Sequence, residues 1–306
     1  MDPKKLALLL LPPFLIGAAR RFSRKRAPAP RASEPVRLKY GDFFLECDAS
    51  HNLPRILEAL PDYGRNVAVV ASALAVREPL VIDVGANIGD TALLLAGAVP
   101  GVRVLCVEGH PRFMPFLESN TSQISGVTIA AAVLSDRTAL IKGSFDEHGG
   151  TAHLVAGDAG GSVQTQTLDD LLLSYPAFSR PHLIKIDTDG FDAPILRGAI
   201  GVLTSARPVV FYEWDPYSYS LAGENDICHA EFLTELGFER FLIFDNRGDL
   251  LLHVRRPGRE VWESLAQFSR RRHAIDGWYY DVAAFTEERG AACESVWQHY
   301  AQSVKV

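Results

Sequence analysis

Short uninterrupted runs of Val, Ile and Leu recur along this chain of 306 residues, and most precede a stretch with helical spacing. Such runs are typical of strands that are covered on both faces of a sheet. Strands that alternate with helices form mostly parallel sheets, because a parallel crossover needs a helix-length connection. The sequence therefore predicts an α/β fold with a doubly wound, Rossmann-like sheet. The strand segments are 81–85, 102–108, 127–135, 182–187, 208–214 and 238–245.

Other segments add to this pattern at three places. Residues 36–47 predict a hairpin, and residues 53–76 after it have helical spacing. Residues 138–167 surround the Gly-rich turn DEHGGT and predict a hairpin inserted after the third strand. Near the end, 249–254 and 278–285 are further strand candidates, and we expect at least one reversed strand among them.

The chain divides into three parts by composition. Residues 1–35 form a basic and apolar tail with a Pro/Ala linker, 36–78 the hairpin and helix, and 79–306 the main domain. The tail holds 14 apolar residues, 6–19, which are too few to span a bilayer. Basic clusters flank them, and the cluster behind them opposes export. A loose tail, a signal peptide and a peripheral anchor through residues 4–26 remain open, and we expect a cytoplasmic protein.

The distribution of charge argues against a nucleic-acid partner. The net charge is −6, although residues 1–37 carry nine basic and only two acidic side chains. The rest of the chain is therefore more acidic than the whole, and a nucleic-acid-binding domain usually presents a basic face. The four cysteines lie far apart in sequence and match neither a zinc site nor a disulfide framework, which is typical of reduced cysteines.

The loop after the first strand suits a nucleoside-containing cofactor. It runs from Asp83 through Gly85 and Asn87, and glycine there lets the backbone approach a ligand closely. Glu108 ends the second strand, where a carboxylate accepts ribose hydroxyls in dinucleotide folds. Asn87 interrupts the GxGxxG pattern, which argues against NAD or FAD as the cofactor. Asp83 favours a cofactor with a cationic end, such as S-adenosylmethionine.

Three predicted strands end in acids, namely Glu108, Asp187 and Glu213. Carboxylates that meet at one crevice repel each other unless a cation lies between them. Asp187 and Glu213 are our candidates for the catalytic base, with four histidines in reserve. Lys185 lies on the same strand face as Asp187, and we expect it to pair with an acid. We expect no metal. The reserve histidines are His51, His110, His148 and His153, and Tyr63, Arg65 and Asn66 are candidates for capping the cofactor.

The segments VIDVGANIGDTALLL, LCVEGHP, TLDDLL, LIKIDTDGFDAPILRGA and VVFYEWDP resemble the FkbM family of S-adenosylmethionine-dependent methyltransferases. The resemblance covers roughly residues 79–285. It implies a class I methyltransferase fold, a seven-stranded sheet with one reversed strand. It also implies methylation of a hydroxyl on a sugar, glycolipid or polyketide-type small molecule.

The resemblance also implies roles for individual residues. Asp83, Gly85 and Asn87 are expected at the methionine part of the cofactor, and Glu108 at the ribose. Ser135 and Asp136 are expected at the adenine, and Asp187 at the methyl-transfer site. The sequence departs from the family in two places. Glu108-Gly109-His110-Pro111 replaces the usual acidic-Pro pair, and Asp189 replaces the usual Glu.

Two other functions remain open at this point. An NAD-dependent oxidoreductase or epimerase would use the same fold, although Asn87 speaks against pyrophosphate binding in the first loop. A non-catalytic, membrane-associated scaffold would keep the fold without turnover, although the intact Asp83, Glu108 and Asp187 speak against it.

Overall fold

A sheet of eight strands forms the centre of the computed structural model, which describes residues 34–156 and 161–303. The predicted tail and anchor lie outside the described residues. The strands are β1 (Val36–Tyr40), β2 (Phe43–Cys47), β3 (Leu80–Val84), β4 (Arg103–Glu108), β5 (Val127–Ala131), β6 (Val133–Leu134), β7 (Ala139–His148), β8 (Thr151–Ala156), β9 (Ser162–Gln166), β10 (Leu183–Ile186), β11 (Val209–Trp214), β12 (Phe238–Asp245), β13 (Leu250–Arg255) and β14 (Tyr280–Thr286). The helices are α1 (Leu53–Ala59), α2 (Arg65–Ser72), α3 (Asp90–Ala98), α4 (Met114–Thr121), α5 (Leu168–Ser174), α6 (Asp192–Arg197), α7 (Ile200–Ala206), α8 (Pro216–Leu221), α9 (Cys228–Glu235), α10 (Arg259–Asp276) and α11 (Gly290–Ser303).

The strand order in the central sheet is β13-β12-β14-β11-β10-β3-β4-β5. Strands β3, β4, β5, β10 and β11 are parallel, and β14 is antiparallel to both of its neighbours. The prediction of a doubly wound, mostly parallel sheet is confirmed. The expectation of at least one reversed strand near the end of the chain is confirmed by β14 and β13. The resemblance implies seven strands with one reversed, and β13 adds an eighth strand that also runs backwards. A tight turn causes this, since the Asp245 N–H donates to Asp249 O at 2.9 Å and folds β13 onto β12.

Both faces of the central sheet are covered, as its uninterrupted apolar strands predict. Ile82 and Val84 of β3 lie in one hydrophobic core, whereas Val81 lies in the other. Strands β3 and β10 are neighbours although a long stretch of chain separates them. The direction of winding reverses between these two strands, which opens a crevice at their carboxyl ends.

The predicted N-terminal hairpin is present as β1 and β2. The predicted helix over residues 53–76 is wrong as a single element, because Gly64 adopts φ 75° and separates α1 from α2. Asn120 of α4 connects the hairpin to residues 85–89, the loop after β3 that we call the cofactor loop. Its side-chain amide donates to Glu46 O at 2.9 Å and to Ile88 O at 2.8 Å. The hairpin is thereby fixed beside the crevice.

The predicted insertion after the third strand forms the hairpin of β7 and β8. Strand β9 also pairs with β7, and β6 pairs with β9, so the insertion belongs to a second sheet of four strands. The turn between β7 and β8 reaches the crevice, as described below. No helix in the part of the chain that the structure describes is long and apolar enough to cross a membrane.

Candidate active site

The loop after β3 passes close to β10 at the crevice. Gly85 adopts φ 76°, and a Cβ there would lie 1.9 Å from the Asp187 carbonyl oxygen. Any other residue would push the loop away from β10. The Gly85 N–H also donates to Val107 O at 3.0 Å, which fixes the loop on β4. Glycine at this position therefore sets the distance between the loop and both neighbouring strands.

Asn87 connects this loop to Glu108 at the end of β4. It adopts φ 48°, a conformation that asparagine tolerates better than most residues. Its N–H donates to the Glu108 carboxylate at 2.8 Å, and the His110 N–H donates to the other oxygen at 2.6 Å. Burial nevertheless raises the pKa of Glu108 above its ordinary value. Each carboxylate oxygen has a further lone pair for a ligand hydroxyl.

A narrow cavity of about 80 Å³ extends from Glu108 between the central sheet and the inserted hairpin. We call it the apolar cavity for the side chains that line it beyond the carboxylates. Its walls suit a flat, largely apolar ring such as adenine. Ser135 and Asp136 are not among the described residues that line it, so the structure does not bring them to this cavity. Asp136 instead pairs with Arg197 at 3.7 Å. The apolar lining residues include Val133, Leu134, Phe145, Phe191 and Ile195.

Lys185 joins two of the predicted site residues, as the strand pattern predicts. Its Nζ lies 3.1 Å from Asp83 and 3.3 Å from Asp187. Asp83 is completely buried and is not among the described residues that line the two cavities at the crevice. The structure therefore places Asp83 behind Lys185 and not on the wall of either cavity. Asp187 differs, since 45% of its side chain is exposed and it lines both cavities.

A second cavity of about 320 Å³ lies beside the first, and we call it the acceptor cavity. The two spaces meet at the cofactor loop and the end of β10, because four residues line both of them: Gly85, Asn87, Asp187 and Asp189. Acidic side chains outnumber basic ones on its walls, which favours a cationic ligand. The acids are Asp90, Asp187, Asp189, Glu213 and Asp281, and the bases are Lys185 and Arg247 together with His51.

Glu213 and Asp281 form one wall of the acceptor cavity. They are partners in the antiparallel pairing of β11 with β14. Burial and neighbouring carboxylates raise the pKa of Glu213 well above its ordinary value, and they raise that of Asp281 to about 7. Burial and Asp187 also raise the pKa of Asp189 to about 7. Burial thus favours the neutral form of these carboxyl groups, and a cation bound beside them would favour the carboxylate form.

Two of the three residues predicted to cap the cofactor line the acceptor cavity. The Asn66 side-chain amide donates to Asp281 at 2.7 Å, and the Tyr63 hydroxyl lies 3.1 Å from that of Tyr279. Arg65 instead points away from this cavity and pairs with Asp62. Tyr63 and Asn66 thus fix the start of β14 over the site.

The turn of the inserted hairpin covers the acceptor cavity. Gly150 O accepts a hydrogen bond from the Asn87 side chain at 2.8 Å, and Gly149 O accepts one from Asn52 N at 2.7 Å. Thr151 lines the cavity beside Gly149. The side chains of His148 and His153 lie outside the described part of the chain.

The two other reserve histidines have structural contacts. The Leu53 N–H donates to His51 Nδ1 at 3.1 Å, so the neutral ring carries its proton on Nε2, 3.5 Å from the Asn87 side-chain oxygen. His51 is therefore a hydrogen-bond donor at the cavity and not a base. His110 lies 3.3 Å from Glu147 of the hairpin and is not among the described lining residues of either cavity.

Sequence reasoning missed Asp281, Tyr279 and Asp90. An acid at the start of the apolar strand WYYDVAAF is a visible signal, but it indicates a site only once that strand is known to be reversed. Asp90 opens α3, where its pKa rises to about 6 through burial. Among the described residues, no group of three or more His, Cys, Asp or Glu side chains could hold a metal ion.

The donor set fits a cofactor that contains adenosine and a cationic group. The apolar cavity would accept the adenine ring, Glu108 would offer acceptors to ribose hydroxyls, and the acceptor cavity would supply negative charge where the two cavities meet at Asp187. These features come from the carboxyl ends of the central strands, the loop after β3 and the inserted hairpin.

One family profile and several solved structures are similar to this chain. The profile of the methyltransferase FkbM domain matches residues 83–240. Among solved structures, the methyltransferase FkbM from Methylobacillus flagellatus KT matches at 15% identity and a TM-score of 0.43, over 68% of this chain and 44% of its own. This chain thus spans less than half the length of that protein. No curated protein matches the chain.

Two further solved structures have similar scores. A precorrin-6y C5,15-methyltransferase from Geobacter metallireducens GS-15 matches at 14% identity and a TM-score of 0.40, over 72% of this chain and 87% of its own. A putative O-methyltransferase from Klebsiella pneumoniae matches at 17% identity and a TM-score of 0.40, over 78% of this chain and 91% of its own.

Proposed function

This chain belongs to the FkbM methyltransferase family, and on that premise we propose that it methylates a hydroxyl group of a sugar, glycolipid or polyketide-type small molecule. S-adenosylmethionine is the cofactor of such an enzyme. When bound, it supplies an electrophilic methyl group on a positively charged sulfur and leaves as a neutral thioether. The chain's own residues bind and orient both reactants and receive the proton.

The cofactor site is assigned to the cofactor loop and the apolar cavity. Glu108 accepts hydrogen bonds from the ribose, while the backbone donors of Asn87 and His110 hold its carboxylate in place. The apolar cavity excludes water from the adenine ring of the cofactor. Asp187, where the two cavities meet, favours the cationic sulfur by its charge.

The observation that carries the proposal is the acidic wall of the acceptor cavity. An alcohol must lose its proton when its oxygen takes the methyl group, and a positioned base accelerates such steps by about 10²–10⁴. Asp187 and Glu213 both line the cavity and are the candidates. The oxygen forms the new bond to carbon, the electron pair of the broken carbon–sulfur bond stays on sulfur, and the proton passes to a carboxylate. No charge is left unbalanced.

The test measures transfer of a labelled methyl group from S-adenosylmethionine to a panel of hydroxylated glycosides and their matched deoxy analogues. We expect transfer only where the hydroxyl is present. Asp187→Asn and Glu213→Gln should each lower kcat by at least about 10²-fold. Glu235→Gln, an exposed carboxylate on α9 outside both cavities, is the matched control. Transfer to the deoxy analogues, or full kcat in both variants, would contradict the proposal.

A further inference from the structure

A third and larger cavity of about 690 Å³ lies on the outer side of the acceptor cavity, and we call it the groove. The turn between β1 and β2 forms one side, α2 and α3 form the floor, and residues from α11 close one end. Half-buried apolar side chains supply most of its walls, whereas charged residues lie at exposed positions. The apolar lining includes Leu38, Phe43, Leu57, Val69, Ala73 and Leu94, and the charged residues are Lys39, Asp42 and Arg65.

The groove adjoins the acceptor cavity. Tyr40, Tyr63 and Leu94 line both spaces. Tyr63 is also the residue whose hydroxyl meets Tyr279 at the edge of the acceptor cavity. A molecule that extends past these three side chains would therefore have one end among apolar walls and the other among the carboxylates.

We propose that the groove binds an alkyl or acyl chain of the acceptor, while the hydroxyl-bearing head of the same molecule lies in the acceptor cavity. This inference rests on the proposed function, since it specifies the acceptor of the same site. The volume lies within the range of small-molecule sites, about 300–1,000 Å³. A concave space of this size with apolar walls matches an alkyl or acyl chain better than it matches the flat face of a second protein. Charges of both signs at the edge give no preference for a charged chain.

Gly97 gives a way to fill the groove without disturbing the fold. It lies on α3 and lines the groove, and a Cβ there would lie 3.6 Å from the Phe43 ring, an ordinary contact. Glycine is also a poor helix former, so a larger residue favours α3. Gly97→Leu therefore occupies the groove with little cost to folding. Ala73→Leu fills it from the residue that caps the end of α2 and is an independent second variant.

The test measures binding of hexyl, octyl and decyl β-glucosides by calorimetry, below their micelle-forming concentrations, to the full chain saturated with S-adenosylhomocysteine. We expect the affinity to rise about three- to fourfold with each methylene. Gly97→Leu and Ala73→Leu should each weaken the binding of decyl glucoside at least tenfold. In both variants the affinity should depend less on the length of the alkyl chain. Thr204→Leu, which adds the same side chain at an exposed position of α7, should behave as the wild type.

Affinity that does not depend on chain length, or that both filling variants leave unchanged, would overturn the inference. Binding of S-adenosylhomocysteine is measured in the same proteins and should stay within twofold in all of them. Failure of the proposed function would appear as no cofactor binding or no transfer to any hydroxyl. Failure of the inference alone would appear as normal cofactor binding together with a glucoside affinity that does not depend on the alkyl chain. In that case the oligomeric state of the wild type and of Gly97→Leu tests the groove as a contact between copies.

Discussion

Glu213 and Asp281 lie directly opposite each other in the pairing of β11 with the reversed strand β14, and both line the acceptor cavity. Paired residues on neighbouring strands point to the same face, so the two carboxyl groups share one environment. Burial is the main cause that raises both pKa values, and the Asp187 carboxylate adds to the shift of each. The reversed strand of this fold thereby adds a second acid to the site that the parallel strands build.

Asp281 makes the stability of the fold depend on pH. Its pKa rises from an ordinary 3.8 to about 7, so the folded state binds the proton more tightly than the unfolded state. Its contribution to stability is therefore complete below about pH 4 and is lost as the pH rises through about 7. Asp281→Asn replaces the titrating carboxyl group by an amide, so the variant should not lose this part of its stability as the pH rises. Between pH 5 and pH 8 the wild type should lose about 2 to 3 kcal/mol more free energy of unfolding than the variant.

Urea unfolding without ligand at both pH values measures this difference. Glu235→Gln, on the exposed face of α9, is the control and should follow the wild type. Equal pH dependence in wild type and Asp281→Asn would show that Asp281 titrates normally.

The ion pair of Lys185 with Asp83 is buried, so removing one partner should cost more than removing both. Lys185→Met leaves the Asp83 carboxylate buried without its cation, at a cost of about 3–5 kcal/mol in the free energy of unfolding. Adding Asp83→Asn to that variant removes the charge and should restore part of the loss. Chemical denaturation of the two variants tests this, and a double variant no more stable than the single one would contradict it.

Gly85 should be irreplaceable because of the close approach to Asp187 and not because of its φ alone. Gly85→Ala places a methyl group 1.9 Å from the Asp187 carbonyl. Gly41→Ala is the matched control, because Gly41 also has positive φ but has no atom within 4 Å of the added Cβ. We expect Gly85→Ala to weaken cofactor binding at least tenfold and Gly41→Ala to leave it unchanged. Similar cofactor affinity in both variants would show that this close approach does not matter for cofactor binding.

Most of the central sheet could be predicted from sequence because each buried strand is a local signal. The runs of Val, Ile and Leu at β3, β4 and β10 need no partner to be recognised. The edge strand β13 is different. Its sequence matches a strand, but whether it extends the sheet depends on the turn at Asp245, which pairing alone reveals.

The candidate site could be predicted in part for the same reason. Glu108, Asp187 and Glu213 end parallel strands, and parallel strands bring their ends to one edge. Asp281 begins a reversed strand, so its position depends on topology and not on local pattern. Asp83 lies in the site motif, but its side chain is buried and contacts Lys185, a placement that the local pattern does not reveal. The loop after β5 places Val133 and Leu134, and not Ser135, at the apolar cavity.

A calorimetric titration of the wild type and Glu108→Gln with S-adenosylmethionine tests the central claim, that this crevice is the cofactor site, most directly. The account predicts saturable binding of one equivalent to the wild type and no binding of NAD. Glu108→Gln should bind about 10- to 100-fold more weakly, because a charge-assisted hydrogen bond contributes about 1.5–3 kcal/mol. Unchanged affinity in Glu108→Gln, or NAD binding in place of S-adenosylmethionine, would contradict the account.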